Sequence, residues 1–403
     1  MVGRFQAHSQ VKQVAAVVRL LTRSGKGVTT NGILSSGNLI PRAILTASVY
    51  SRICLLLSFA FLSTGFGQNS VNRNPVNLHR QALVIDAHAD TVLRMLRGAN
   101  ICREGRSGHL DLPRLAKGGV DAEFFAIFVH PRHRGAEGLH RARKMIGLIK
   151  DALASCPEKA GLALNASDIE RLQAEGKIAV LLGLEGGHII QGKTTILREF
   201  YGLGVRYMTL TWSNSNEFAD SSDGEKRWGG LNELGRRVIK EMNRLGMIVD
   251  VSHVSDETFW DVISSTTQPV IASHSSCRAL RDIPRNMSDD MLKAVAANGG
   301  VVCINFYPRF LADTGPEGSA KEREVPLDVL IDHIEHAVRV AGIDHVGLGS
   351  DFDGIPTLPK GMKDVTGMPL ISQRLLERGY EPKDVQKILG ANLLRVIRQV
   401  TGR

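Results

Sequence analysis

Five places in the sequence set imidazoles and carboxylates at the end of an apolar run. The first is "LVIDAHAD", Leu83 to Asp90, where Asp86, His88 and Asp90 alternate along a strand and its exit. "LLGLEGGH" supplies Glu185 and His188, and "IVDVSHV" supplies Asp250 and His253. "VIASHSS" supplies His274, and "VGLGSDFDG" supplies Asp351 and Asp353. Taken singly, a histidine at a strand end is usually a hydrogen-bonded structural residue, and an acid there often caps the next helix. Gathered in one space, these imidazoles and carboxylates would strand one another unless a cation compensates. Nitrogen and oxygen donors without a thiolate suit zinc or a similar divalent ion. The set is large enough for two ions with one carboxylate bridging. Paired ions about 3.5–4 Å apart activate a water and polarise a carbonyl together. A hydrolase is the natural use of such a set.

These residues need a scaffold that brings distant strand ends to one face. Candidate strands cover Leu83–Asp86, Glu123–Val129, Ile178–Leu184, Arg206–Thr211, Met247–Val251, Pro269–Ser273, Gly300–Asn305 and His345–Gly349. Helical stretches fall between them, among them Glu137–Ala154, Leu231–Leu245, Asp256–Ser264, Asp289–Ala297 and Leu327–Ala341. Leu234, Val238, Met242 and Leu245 show the three-and-four spacing of a helix laid on a sheet. Strand–helix alternation implies parallel βαβ units, and eight of them fit an α/β fold of the (β/α)8, TIM-barrel type. Each polar cluster then lies at the C-terminal end of a strand, the face on which such barrels build their sites. Residues 80–403 read as one domain. Its tail, "GYEPKDVQKILGANLLRVIRQV", predicts a helix starting near Pro382, a Gly-Ala-Asn break, and a last amphipathic helix with a packing role.

The net charge of +9 comes mostly from the N-terminal part. Residues 1–67 hold seven basic residues and no acidic ones, so residues 68–403 carry 43 basic against 41 acidic groups, a net of +2. No nucleic-acid partner is expected on that balance. "RICLLLSFAFLSTGFGQ" has a basic flank, an apolar run from Ile53 to Leu62 and small residues up to Gly67, the layout of a secretory signal. The run is short of the roughly 20 residues a transmembrane helix needs. Residues 1–67 are therefore read as a leader, either extended or with its start placed too early. The expected location is periplasmic or extracellular, with a membrane anchor as the alternative should the leader be retained. Cys102, Cys156, Cys277 and Cys303 form no compact framework and no CxxC pair, which leaves disulfides and buried thiols both open.

Six ordered motifs, "DAHAD", "GLEGGH", "NRLGMIVDVSHV", "VIASHSSCRALRDIPRN", "INFY" and "GLGSDFDG", with "GANLLRV" near the end, resemble the membrane (renal) dipeptidase family of the amidohydrolase superfamily. The similarity runs from about Leu83 to Val396. It implies a two-zinc centre in which His88 and Asp90 match the ligands of the first metal and Glu185 matches the bridging carboxylate. His253 and His274 match the ligands of the second metal. Asp351 matches the carboxylate that handles the proton of the metal-bridging water, and Arg285 the arginine that holds the substrate's terminal carboxylate. The activity implied is hydrolysis of small dipeptides by a metal-bridging hydroxide, with a D-residue tolerated at the C-terminal position, in a homodimer.

Trp212 departs from the pattern, standing where the best-known members carry a histidine that contacts the substrate's carbonyl region. An indole can neither donate to an oxyanion in the same way nor change charge. A metal-dependent hydrolase of another amide or of a lactone is thus the alternative on the same scaffold. Asn216 and Glu217 are candidates for polar contacts nearby. His188 and Asp250 are read as partners that orient ligands, and Asp353 as another such partner or a turn cap. A non-enzymatic metal-bound scaffold would require the loss of Asp351 or of a ligand, and none is missing.

Overall fold

The computed structural model describes residues 74–316, 318 and 323–402; the leader read over 1–67 lies outside them. Nine parallel strands form one sheet: β1 Ile85–Ala89, β2 Ala122–Phe128, β3 Ala160–Leu162, β4 Ile178–Glu185, β5 Val205–Thr209, β6 Ile248–Asp250, β7 Ile271–Ser275, β8 Val301–Ile304 and β9 Val346–Leu348. Eight of them run β2–β1–β9–β8–β7–β6–β5–β4, and pairing of β2 with β4 closes the ring into a (β/α)8 barrel. The three-residue β3 pairs with β4 outside that ring. It had no signal in the sequence, because "AGL" is too short and too small to stand out as an apolar run.

Helices fall where capping chemistry and periodicity place them. Glu233–Leu245 starts at Asn232, whose side chain accepts from the Gly235 N–H, and ends at Gly246 with φ 77°. Ser255 and Ser288 cap Asp256–Ser265 and Asp289–Ala297 in the same way, each followed by two acids that oppose the helix dipole. Gly135–Ser155 spans 21 residues and buries Ala142, Met145, Ile146, Ile149 and Leu153 along one face.

Two apolar layers result. The larger fills the space between barrel and helices. The smaller gathers residues at the N-terminal strand ends (Ile85, Ala122, Ala179, Ile248, Ile271, Val301) against Leu393, Val396, Ile397 and Val400 of the helix Asn392–Thr401. That helix plugs the mouth opposite the polar strand ends. The expected Gly-Ala-Asn break before it is absent: Pro382–Gln386 continues through one π turn, Lys387–Ala391, directly into Asn392–Thr401. Gly390 is needed for contact and not to end a helix, since a Cβ there would fall 2.3 Å from the Leu83 carbonyl oxygen.

Cys102 and Cys156 form a disulfide across 54 residues, while Cys277 and Cys303 are buried thiols. Burial pushes the Cys277 thiol up to about 12, so it is not a nucleophile near neutral pH.

Candidate metal centre

Strand β1 runs three residues beyond the apolar stretch that predicted it, so His88 lies inside the strand and Asp90 just past it. Its register with β2 slips between Asp86 and Ala89, which interrupts the simple alternation of Asp86, His88 and Asp90. Asp86 is thereby separated from the other two. It accepts from the Ser350 N–H at 2.8 Å and from the Ser350 hydroxyl, tying β1 to the exit of β9. Glu185 is the last residue of β4, and His274 lies within β7. His253 and Asp351 follow β6 and β9 with φ of 67° and 64°. Left-handed backbone at a non-glycine residue costs about a kilocalorie or more per mole and persists where the surroundings over-determine it.

These residues converge on Glu185. One of its oxygens, Oε2, lies 3.4 Å from His88 Nε2. The other, Oε1, lies 3.3 Å from His253 Nε2 and 3.7 Å from His274 Nε2. Asp90 Oδ2 is 3.5 Å from His88 Nε2, and the Nε2 atoms of His253 and His274 approach to 2.9 Å. Candidate ligand atoms of His88, Glu185 and His274, and separately of His88, Asp90 and Asp351, fall within 4.8 Å of one another. All are buried. His88 Nε2 and Asp90 Oδ1 have no hydrogen-bond partner among the described residues. Leaving a buried polar atom unpaired costs about 1–3 kcal/mol, and a cation between these atoms would remove that cost. One oxygen of Glu185 toward His88 and the other toward His253 and His274 make the carboxylate a candidate metal ligand.

The electrostatics of His253, His274 and Glu185 suit cation binding. Burial, with Arg285 next, lowers His253 to about 4, and burial with His88 lowers His274, so both imidazoles are neutral with a lone pair to offer. Burial alone would raise Glu185, but His88 and His253 outweigh it and hold the carboxylate well below its ordinary range. Burial also works against a charge on His88, and is outweighed by Tyr207 and Glu185 beside it. Asp90 is raised to about 6 by burial and by Glu185. Asp351 is pushed up to about 7, first by burial.

Behind the candidate ligands stand residues that hold their rings. His88 Nδ1 is 2.8 Å from the Tyr207 hydroxyl, and His274 Nδ1 is 2.8 Å from Ser273 Oγ. Ser273 and Thr209 each donate to Asp250 Oδ2 at 2.6 Å, so Asp250 acts on His274 through Ser273. The buried Tyr207 fits because its neighbour on β4 is Gly183, where a Cβ would fall 2.0 Å from Tyr207 Cζ. His188 pairs its Nε2 with the Val129 carbonyl and is not among the grouped ligand atoms. Asp353 accepts from Thr91, Arg94 and the His109 N–H. Tyr207, Ser273, Ser350 and Asn305 escaped sequence reading: nothing in their residue types distinguishes them from core or turn residues.

The groups expected to meet substrate surround the same space. Arg285 is buried and donates from Nη1 to Ser275 Oγ at 3.1 Å and from Nη2 to the His274 carbonyl at 3.0 Å; its Nε–H has no partner among the described residues. Asp351 Oδ2 accepts from Asn305 Nδ2 at 3.0 Å. Trp212 packs its ring on Phe128 at 4.8 Å, His130 at 5.5 Å and His253 at 6.4 Å between centroids. Asn216 spends its amide on its own loop, donating to the Leu210 carbonyl and accepting from the Phe218 and Ala219 N–H groups. It also lines, with Arg134, His188 and Gln191, a cavity of about 230 Å³.

Comparisons with known proteins show the family of the chain. The sequence profile of the family described as membrane dipeptidase (peptidase family M19) matches residues 73–402. The dipeptidase tcpJ of Claviceps purpurea is 37% identical over 303 residues, covering 73% of this chain and 70% of that protein. Among solved structures, the metallopeptidase dipeptidase AC superposes with a TM-score of 0.73 at 30% identity, over 80% of this chain and 99% of its own. A metallopeptidase from Rhodobacter sphaeroides, liganded with a phosphinate mimic of the dipeptide L-Ala-D-Ala, gives a TM-score of 0.72 at 29% identity, over 79% of this chain and 99% of that one.

Proposed function

The chain belongs to the membrane dipeptidase family, peptidase family M19, and is a metallo-dipeptidase; from that premise we propose that it works with two zinc ions bridged by Glu185. His88 and Asp90 would complete one ion's protein ligands, and His253 and His274 the other's. The observation that carries this reading is the division of Glu185, one oxygen toward His88 and the other toward His253 and His274. When bound, the ions supply Lewis acidity and make a water acidic enough to attack as hydroxide near neutral pH.

The chain's own residues do the rest. Arg285 offers a planar fork matched to a carboxylate, which makes a free C-terminus a substrate requirement. Its placement on Ser275 and the His274 carbonyl fixes the distance from that terminus to the centre. Asp351 takes the proton of the attacking water and returns it to the departing amine. Asn305 holds one oxygen of that carboxyl, which directs the other at the reacting groups. A D-residue at the C-terminal position is part of the proposal, supported by the L-Ala-D-Ala mimic bound to the Rhodobacter sphaeroides relative. Another amide or a lactone is the second reading, favoured only by Trp212. Export through the leader is supported by the Cys102–Cys156 disulfide, a bond that persists in oxidising compartments. A homodimer of residues 80–403 completes the proposal.

Chelation should abolish hydrolysis of L,L- and L,D-dipeptides, and added zinc should restore it; indifference to the chelator sinks the metal reading. Asp351→Asn is expected to keep its zinc, measured by elemental analysis, and to lose roughly 10²–10⁴-fold in kcat. Lactone turnover without dipeptide turnover would select the second reading.

A further inference from the structure

We propose that Phe128, His130 and Trp212 form an aromatic wall that receives the substrate's N-terminal side chain, so that the enzyme selects dipeptides beginning with a large apolar residue, aromatic or branched aliphatic. This rests on the dipeptidase reading and on Arg285 as the clamp for the terminal carboxylate.

The strand order carries the inference. Around the closed ring the sequence is β1, β2, β4, β5, β6, β7, β8, β9, so β2 lies diametrically opposite β7. Arg285 leans on the exit of β7 through Ser275 and the His274 carbonyl. A dipeptide anchored there by its carboxylate and laid across Glu185 presents its first residue to the far side of the mouth. Phe128 closes β2 in register with Glu185 of β4, and His130 follows two residues later. Trp212 comes three residues after β5. The three rings pack against one another, with Trp212 4.8 Å from Phe128 and 5.5 Å from His130, and Phe128 6.4 Å from His130. Trp212 also reaches the ring of His253, so the wall borders the metal ligands directly.

Phe128 and Trp212 are both half-buried and His130 is exposed, so aromatic surface stays open to solvent beside Glu185 and His253. Covering it with an apolar side chain removes that surface from water, and ring-on-ring contact adds to the gain. A small or charged first residue gains neither.

The test is kcat/KM on zinc-replete enzyme for Gly-, Ala-, Leu- and Phe-initiated dipeptides sharing one second residue. A rise on the order of ten- to hundred-fold from Gly to Phe or Leu is expected. Trp212→Ala and Phe128→Ala, each checked for unchanged zinc content and melting temperature, should flatten that gradient, whereas Trp212→Phe should keep most of it. Removal of the terminal carboxylate should still abolish turnover in all three variants. Hydrolysis with no gradient, or a gradient that survives both alanine variants, overturns the aromatic subsite alone. If no dipeptide is cleaved by zinc-replete protein, the dipeptidase reading falls, and the subsite with it.

Discussion

A metal ligand is only as good as the group that fixes its ring, and for His88, in the ligand role proposed for it, that group is Tyr207. Nε2 is turned toward Glu185 and Nδ1 lies 2.8 Å from the Tyr207 oxygen; a metal on Nε2 would leave the proton on Nδ1 to be donated to that oxygen. Losing such a partner typically costs 10–100-fold in metal affinity. Tyr207→Phe keeps the ring in its place and is expected to show a loss of that order in zinc competition against a chelator. Gly183→Ala should show the same phenotype from a different strand, because the new methyl would displace the tyrosine ring. Unchanged zinc affinity in both would remove Tyr207 from the centre. This residue also marks where sequence reading stops. His88, Asp90, Glu185, His253, His274 and Asp351 are legible because imidazole and carboxylate do not belong at the end of an apolar strand without a purpose. A tyrosine inside "VRYMT" reads as core. Its link to His88 depends on the β4–β5 register, which slips between Leu182 and Gly183 and cannot be read from composition.

Among the elements, the eight barrel strands were legible as apolar runs separated by helical periodicity, and five helices fell within two residues of expectation. The strand ends were less so. β1 and β7 continue through His88 and through His274 and Ser275, polar residues that carry the strand on after the apolar run has ended. Hydrophobicity stops where the site begins, although the backbone ladder does not. Disulfide pairing was illegible for a different reason: spacing along the chain says nothing of spacing in space. Cys102 is tied to Cys156 just beyond the helix Gly135–Ser155, closing a loop of 54 residues. A cross-link of that kind stabilises by about 2–4 kcal/mol, chiefly by restricting the unfolded chain. The double variant Cys102→Ala/Cys156→Ala should lower the denaturation midpoint accordingly, and reductant should bring wild type down to the same value without changing its zinc content. A wild-type midpoint unmoved by reductant contradicts the cross-link.

For the whole molecule, pH is the informative variable, and Glu123 is the residue to watch. It is fully buried on β2, and neither of its carboxylate oxygens has a hydrogen-bond partner among the described residues. Burial, with Asp86 next, pushes it well above the ordinary carboxyl range. The folded state thus holds a proton that the unfolded chain releases near pH 4.3. Stability from this group is fully present below that value and is lost as pH rises from there through the folded pKa, by about 1.4 kcal/mol per unit. Glu123→Gln keeps a neutral side chain of the same shape at every pH. It should melt with wild type at pH 4 and at a higher temperature than wild type at pH 8. Equal melting temperatures at both pH values would show that Glu123 ionises freely in the fold.

The closure of the barrel between its first and last strands has a consequence in time. Asp86 and Ser350, whose bond seals β1 to β9, are 264 residues apart. His88 and Asp90 are therefore among the first parts of the barrel to leave the ribosome, and Asp351 is among the last. The candidate site is therefore incomplete until the last strand has been made, and a chain released before residue 350 would lack both Asp351 and the partner that Asp86 holds at the exit of β9.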